Sequence, residues 1–303
     1  VARHLSSPAS AVFHVIVPGA DLSRAEALTR CLSQELPPHA EAPTVKLYEE
    51  KPLPFDPSTA RYFRVQLSKA WKPWNSFAQT QAFARILLHE YLPTVPRVVW
   101  LDIDTIARAD IGLLYRMPMR HVIAAAPSAY DWGQIGLLQL WEIVKRRNLS
   151  EDTYFQTGVL VIDLDRWRDK NITRIVVKAG ESKNVGWAYA DQVALNAVFR
   201  GRYDRMHWSW NVHVDSDAGL SAQAARQARV LHFNNQVKCW RPACEKPKES
   251  RQSDHYYEFP SSKCANDFLG TEAPRVEPRH STCGLPRLDM AQRGARRRFK
   301  KEY

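Results

Sequence analysis

Two aspartates, Asp102 and Asp104, directly follow the apolar run at residues 98–101 (VVWL). A run of this kind predicts a strand covered on both faces, and side chains two residues apart in an extended backbone project to the same side. Because ligands of α/β sheets bind at the carboxyl ends of strands, the two carboxylates could hold one divalent cation, Mn²⁺ or Mg²⁺. Such an ion can bridge a diphosphate and stabilise it as a leaving group. The alternative is a chance Asp-x-Asp triplet in a turn, and the preceding strand favours the metal site.

The surrounding pattern predicts the elements that would position these side chains. The helix at residues 76–91 has Ser76 as its N-cap, Gln79 to complete a capping box, and Pro93 to end it. Strands that alternate with helices predict an α/β fold with a mostly parallel sheet flanked by helices. Strands are predicted at residues 11–17, 44–48, 97–101, 122–126, 158–162 and 230–233, and further helices at residues 22–33 and 191–199.

The chain is basic, with 43 Lys and Arg against 32 Asp and Glu and a net charge of +11. Such a balance suits nucleic acid, an anionic membrane surface or a phosphorylated substrate. The one dense basic run, residues 296–301, lies at the C-terminus, where such runs are usually solvated. No nucleic-acid-binding motif is present, so we expect no nucleic acid partner, and membrane attachment only through a segment absent from this chain. A nucleic-acid or membrane-surface binder is the alternative.

Residues 85–88, 91–93 and 97–104 together resemble the central signature of glycosyltransferase family 8. The resemblance implies a GT-A fold, which is Rossmann-like, and retaining transfer of a sugar from a nucleotide donor. It also implies that Asp102 and Asp104 bind the metal ion and that Arg85 lies near the nucleotide-sugar. Without the resemblance, Arg85 would be interpreted as a cation on the surface of a helix.

Residues 155–167 and 190–196 extend the resemblance and imply catalytic residues at the donor sugar. Gln156 stands where the family has an asparagine that holds a sugar hydroxyl, and Asp191 and Gln192 match the acid and amide beneath the sugar ring. Val193 replaces a further family acid. The alternative for Asp191 is that it caps the helix that begins there.

Residues 232–240 complete the resemblance, which ends at Trp240. His232 would be the third metal ligand, and Lys238 would contact the diphosphate of the donor. Asn235 replaces a glycine that lets the backbone approach a phosphate, and Cys239 replaces a proline. Taken alone, a histidine after a strand is more often a buried structural residue than a ligand.

Together these segments predict metal-dependent retaining transfer of a hexosyl or pentosyl group from a UDP-sugar donor to an acceptor hydroxyl. The acceptor would be a glycan, a glycoprotein or a small molecule, and stabilisation of the departing UDP would be the largest catalytic contribution. The departures at residues 156, 193 and 235 support an alternative. In it, the chain is an inactive or weakly active sugar-nucleotide-binding family member that acts as a partner or scaffold.

The cysteines and glycosylation triplets favour a secretory lumen such as the Golgi, with the cytoplasm as the alternative. We expect at least one disulfide among the four cysteines of the C-terminal quarter, and a free Cys31 in its helix. The four are Cys239, Cys244, Cys264 and Cys283. N-x-S/T acceptor triplets begin at Asn148 and Asn171.

The predicted organisation is a GT-A domain at residues 1–240 and an irregular basic tail at residues 241–303. The chain begins at Val1, and the strand at residues 11–17 matches the second strand of the family. We therefore expect the domain to lack its first strand, with an open uridine pocket as the consequence.

Overall fold

The computed structural model describes residues 4–34, 42–55, 81–128, 154–182, 185, 191–213 and 226–233. The chain divides into two compact units, which are described separately. The first unit comprises residues 1–47, 103–110 and 212–303, and the second unit comprises residues 48–102 and 111–211. Within the described residues, no helix combines the length and apolarity needed to cross a membrane. The predicted boundary at residue 240 lies outside the described residues.

The second unit is built on a four-stranded sheet of β3 (Arg97–Leu101), β5 (Ile123–Pro127), β6 (Phe155–Asp163) and β7 (Asp204–Arg205). The strand order in the sheet is β3-β6-β5-β7. The central strand β6 is nine residues long and buried at all but its last residue, because its apolar run has neighbours on both edges and both faces. Its helices are α2 (Leu88–Tyr91), α3 (Gly112–Tyr115), α4 (Leu164–Asp169), α5 (Ile172–Gly180) and α6 (Gln192–Phe199).

The first unit contains two smaller sheets. Strands β1 (Val12–Val17) and β2 (Thr44–Glu49) pair with each other, and helix α1 (Leu22–Gln34) lies between them in sequence. The second sheet has the order β4-β9-β8, with β4 at Thr105–Ala107, β8 at Val212–His213 and β9 at Val230–His232. This small sheet brings the chain just after residue 103 beside the chain near residue 232, because Thr105 is the register partner of His232.

The α/β class is confirmed, and the prediction of a mostly parallel sheet is wrong for the described strands. Strand β6 runs antiparallel to β3 and β5, and β4 runs antiparallel to β9, while the pairs β5–β7 and β8–β9 are parallel. The alternation of strands and helices indicates the class but does not specify the direction of each strand, and the long β6 runs antiparallel to both of its larger neighbours. Strand β3 is half-buried along its length instead of fully covered, since it ends the row of described strands.

The predicted helix at residues 76–91 is confirmed only in its second half. A 3₁₀ segment spans Gln81–Leu87 and continues into the single turn of α2. Ser76 and Gln79 lie outside the described residues. The remaining predicted helices and strands are found within a few residues of their expected bounds.

The prediction of a free Cys31 is wrong, because Cys31 forms a disulfide bond. It lies on α1 and is half-buried, and helical periodicity does not reveal whether such a cysteine has a partner elsewhere in the chain. Its partner lies outside the described residues, as do the other four cysteines.

Candidate active site

Arg85 is the centre of a buried charged cluster in the second unit. Its Nε lies 2.8 Å from Asp191 Oδ2, and its Nη1 lies 3.5 Å from Asp102 Oδ1. Nη1 also donates a hydrogen bond to the Thr157 carbonyl, and the guanidinium carbon lies 5.1 Å from the centroid of the Trp100 ring. Arg85 is 4% exposed. It is therefore not the surface cation that the helical pattern alone would suggest.

The segment that carries Arg85 is anchored by its apolar neighbours. Phe83, Ile86 and Leu87 are at most 1% exposed, so the 3₁₀ segment is fixed in the core. The Thr173 hydroxyl donates a hydrogen bond of 2.6 Å to the Ile86 carbonyl and thereby holds the backbone next to Arg85. A buried guanidinium needs such a rigid frame, because an unpaired charge in the interior would be costly.

Asp191 is fully buried and has unfilled acceptor capacity. It precedes α6, but its side chain makes no capping hydrogen bond, so the helix-cap alternative is wrong. Among the described residues neither carboxylate oxygen accepts a hydrogen bond, and the close approach of Arg85 Nε acts as an ion pair. The pKa of Asp191 is raised to about 7, and burial is the main cause. Asp102 also raises this pKa, whereas Arg85 lowers it. Such a carboxylate can accept hydrogen bonds from the hydroxyl groups of a ligand.

Gln192 is fixed against strand β6 by its own side-chain amide. Its Oε1 accepts hydrogen bonds from the backbone N–H of Thr157 at 3.3 Å and from the Thr157 hydroxyl at 3.2 Å. Its Nε2 donates to the Tyr154 hydroxyl at 3.0 Å. Thr157 therefore links Gln192 to Arg85, since its carbonyl accepts from the guanidinium.

Gln156 is buried in β6 but is not joined to this cluster. It is 6% exposed, and strand alternation projects it to the face opposite Thr157. The structure gives it no hydrogen bond to Arg85, Asp191 or Gln192. The described residues thus bring four predicted site residues into one network and leave Gln156 outside it.

Asp102 directly follows β3 and is oriented by Trp100, a residue to which the sequence pattern assigns no role. The Asp102 backbone N–H donates a hydrogen bond to the Gly158 carbonyl at 2.8 Å. The Trp100 indole N–H donates to Asp102 Oδ1 at 2.6 Å. The signal for Trp100 was present in the sequence, because a tryptophan two residues before a strand-end acid lies on the same side of the strand. The carboxylate retains a side-chain exposure of 25%, so part of it remains accessible.

Asn196 is a second residue that the sequence reasoning assigned no role. Its side chain accepts from the Phe155 N–H at 2.8 Å and donates to the carbonyls of Phe155 and Gln192, each at 2.9 Å. These three bonds fix the start of α6, and with it Gln192, against the start of β6. Its signal was helical spacing, because Asn196 is four residues after Gln192 on the same face.

Asp104 and His232 lie together in the first unit. His232 Nε2 is 3.3 Å from Asp104 Oδ1, and the Phe233 N–H donates to the Asp104 carbonyl at 2.9 Å. Each side chain offers one ligand atom of the kind that binds metal ions. His232 is 2% exposed, whereas Ile103, between the two aspartates, is 86% exposed. The pairing of β4 with β9 thus brings together two of the predicted metal ligands.

His213 packs its ring against His232 with the centroids 5.2 Å apart and the ring planes nearly perpendicular. Burial, and to a smaller extent the neighbouring His232, lowers the pKa of His213 to about 3, although Asp104 acts in the opposite direction. His213 is therefore neutral and adds no positive charge beside Asp104. Lys238, Asn235 and Cys239 lie outside the described residues.

Comparison with known proteins identifies related sequences and folds. The family model described as "Glycosyl transferase family 8" matches residues 8–244. A glycosyltransferase 8 domain-containing protein 1 from Xenopus tropicalis is 30% identical over 185 residues, which are 52% of this chain and 50% of that protein. A probable galacturonosyltransferase-like 3 from Arabidopsis thaliana is 30% identical over 255 residues, covering 79% of this chain and 68% of that protein. The chain thus spans about half the length of the frog relative.

Two solved structures share the fold at low sequence identity. The galactosyltransferase LgtC in complex with donor and acceptor sugar analogs is 16% identical, with a TM-score of 0.50 over 81% of this chain and 95% of that chain. Mouse xyloside xylosyltransferase 1 is 16% identical, with a TM-score of 0.51 over 77% of this chain and 88% of that chain. At this identity the match extends to the fold and not to the substrate.

Proposed function

Because this chain belongs to glycosyl transferase family 8, we propose that it is a metal-dependent retaining glycosyltransferase. It would move a hexosyl or pentosyl group from a UDP-sugar to a hydroxyl of a glycan, a glycoprotein or a small molecule. The name of one sequence relative, a probable galacturonosyltransferase-like 3, supports a donor sugar within this range.

The observation that carries the proposal is the buried Asp191 carboxylate, paired with Arg85 and without a hydrogen-bond donor among the described residues. Burying a carboxylate without hydrogen-bond donors raises the free energy of the folded protein when no ligand is bound. A ligand with several hydroxyl groups would supply the missing donors. A sugar is such a ligand. In this proposal Asp191 accepts hydrogen bonds from the donor sugar, and Arg85 keeps its carboxylate in place.

The ligand chemistry of the proposed metal site fits Mn²⁺ or Mg²⁺. The ion would bind Asp104 and His232, with Asp102, two residues earlier in the chain, as the third ligand. Neighbouring ligands of an ion with bond lengths of about 2.1 Å lie about 3 Å apart in octahedral geometry. The 3.3 Å between His232 Nε2 and Asp104 Oδ1 is close to that spacing. When bound, such an ion neutralises charge that develops on a departing diphosphate.

The remaining predicted residues receive positioning roles in this proposal. Gln192 lies beneath the sugar and is held there by Thr157 and Tyr154, so that it needs no reorganisation on binding. Gln156 would contact a donor hydroxyl, a role that rests on the family resemblance and not on a contact with Gln192 or Asp191. Lys238 would contact the diphosphate, a role that rests on the family resemblance alone.

The alternative, a sugar-nucleotide-binding protein without turnover, has one observation in its favour. Val193 is fully buried in the core, so the position of a further family acid is filled by an apolar residue. A panel of UDP-sugars, assayed for UDP release with and without Mn²⁺, separates the two functions. The proposal expects Mn²⁺-dependent release from one donor, with Asp191→Asn reducing release more than it weakens UDP binding. UDP binding without UDP release from any donor, and without sugar transfer to any acceptor, would favour the alternative.

We further propose a secretory lumen as the working compartment. The disulfide at Cys31 supports this assignment, because structural disulfides persist in oxidising compartments. Thiol counting on denatured, unreduced protein from its native cells tests it. Five free thiols would exclude the assignment.

A further inference from the structure

The triplet Asn171-Ile172-Thr173 lies at the exposed turn between helices α4 and α5. Asn171 has φ 49° and ψ 47°, and its side chain makes no capping hydrogen bond to α5. It is exposed, whereas Thr173 is buried. The acceptor amide of this N-x-T triplet is therefore accessible, and within the described part of the chain it makes no hydrogen bond that an attached group would break.

Both polar residues of the triplet also have structural explanations. The left-handed backbone conformation favours asparagine over most other residues. The Thr173 hydroxyl donates to the Ile86 carbonyl at 2.6 Å and accepts from the Trp167 indole N–H at 2.9 Å. The triplet alone therefore does not distinguish a glycosylation site from a structural turn, and two independent observations favour the glycosylation site.

The first observation is the disulfide at Cys31, which fits the compartment in which N-glycans are attached. The second is the exposed apolar side chain of Ile175, with 46% of its surface accessible. Ile175 lies four residues after Asn171, and the Ile175 N–H donates to the Asn171 carbonyl at 3.4 Å. A bulky solubilising group on Asn171 would lie beside this apolar side chain and cover it.

We propose that Asn171 is N-glycosylated, so that this protein is itself a glycoprotein. In the transfer, Asn171 Nδ2 forms a bond to the anomeric carbon of an oligosaccharide carried on a lipid diphosphate. The bond between that carbon and the diphosphate oxygen breaks, the lipid diphosphate leaves, and the amide loses one proton. The transfer takes place on the unfolded chain, before Thr173 is buried, so the folded protein needs only to accommodate the product at an exposed turn.

The proposal rests on the lumenal compartment and not on the catalytic role. Protein purified from its native cells is treated with an amidase that removes N-glycans and converts the modified asparagine to aspartate. Peptide mapping should then find aspartate at position 171, and the treated protein should migrate faster in electrophoresis. An unmodified Asn171 in protein whose Cys31 is oxidised would overturn the proposal, whatever the UDP-sugar assays show.

Matched variants expressed in the same cells assign the site. Asn171→Asp keeps a residue that tolerates the left-handed conformation but removes the acceptor, so the mobility difference should disappear. Thr173→Ser keeps both the hydroxyl and the triplet, so the glycan should remain. Asn148→Gln removes the other triplet and should leave the modification at Asn171 in place. A mobility difference that persists in Asn171→Asp and is lost in Asn148→Gln would contradict the proposal.

Discussion

The hydrogen bond from Trp100 to Asp102 provides a sharp test of how the metal site is held. Trp100→Phe removes the indole N–H that donates to Asp102 Oδ1 at 2.6 Å. It keeps an aromatic ring at a position where the Arg85 guanidinium now lies 5.1 Å from the ring centroid. The substitution therefore removes one bond to a proposed metal ligand and preserves most of the packing around it.

The expected magnitude follows from the charge and exposure of the carboxylate. A hydrogen bond to a charged group contributes about 1.5–3 kcal/mol. The Asp102 side chain is 25% exposed, so we take the lower end of that range. About 1.5 kcal/mol corresponds to roughly a tenfold change in affinity, which lies at the lower end of the 10–100-fold losses seen when the partners of metal ligands are changed.

The assay is titration of Mn²⁺ into the purified protein without substrate, followed by calorimetry or by the signal of free Mn²⁺. Trp167→Phe is the matched control, because it removes an indole hydrogen bond of 2.9 Å to Thr173 and not to a carboxylate. We expect Trp100→Phe to weaken Mn²⁺ binding about tenfold and Trp167→Phe to leave it unchanged. Equal Mn²⁺ affinity in both variants and the parent protein would refute the reasoning.

Four further predictions concern Gln156, two residues of the cluster around Arg85, and the disulfide. Gln156→Ala should lower turnover more than UDP affinity, because its proposed contact is with the sugar, and an equal loss of both would place Gln156 elsewhere. Turnover should rise with pH through about 7 as Asp191 ionises. The folded state binds this proton more tightly than the unfolded state does, so the contribution of Asp191 to the free energy of unfolding should decrease as pH rises from 3.8 to about 7. Asn196→Ala should lower the free energy of unfolding by about 3 kcal/mol through the loss of three hydrogen bonds, two of them buried. Urea denaturation measures this change, and a change below about 1 kcal/mol would contradict the role. Alkylation with and without reduction should modify Cys31 only after reduction, and labelling of Cys31 in unreduced protein would contradict its disulfide.

Much of the site was accessible from residue types and spacing. The apolar run before Asp102 predicts β3 at its observed bounds, because four large apolar residues in sequence require partners on a sheet. Asp191 and Gln192 were found at the start of a helix, where α6 begins. Arg85 was assigned to the site through the family resemblance, and its burial with two carboxylates is consistent with that role.

Other features depended on contacts that a sequence does not encode locally. Local periodicity specifies neither the position of β6 between β3 and β5 nor its antiparallel direction. Trp100 and Asn196 have ordinary roles as apolar strand and helix residues, and only the tertiary structure shows where their N–H groups point. The disulfide of Cys31 depends on a partner distant in the chain.

The metal site is the central claim, and Mn²⁺-dependent binding of UDP to Asp104→Ala tests it most directly. Asp165→Ala serves as the matched control, because it removes a carboxylate that is 63% exposed and paired with Arg168 on the surface of α4. A thermal melt should show that Asp104→Ala remains folded. Calorimetry with and without Mn²⁺ should show that this variant loses the Mn²⁺-dependent part of UDP binding. The control should keep it, and Asp102→Ala and His232→Ala should behave as Asp104→Ala does. Undiminished Mn²⁺-dependent UDP binding by folded Asp104→Ala would contradict the proposed metal site.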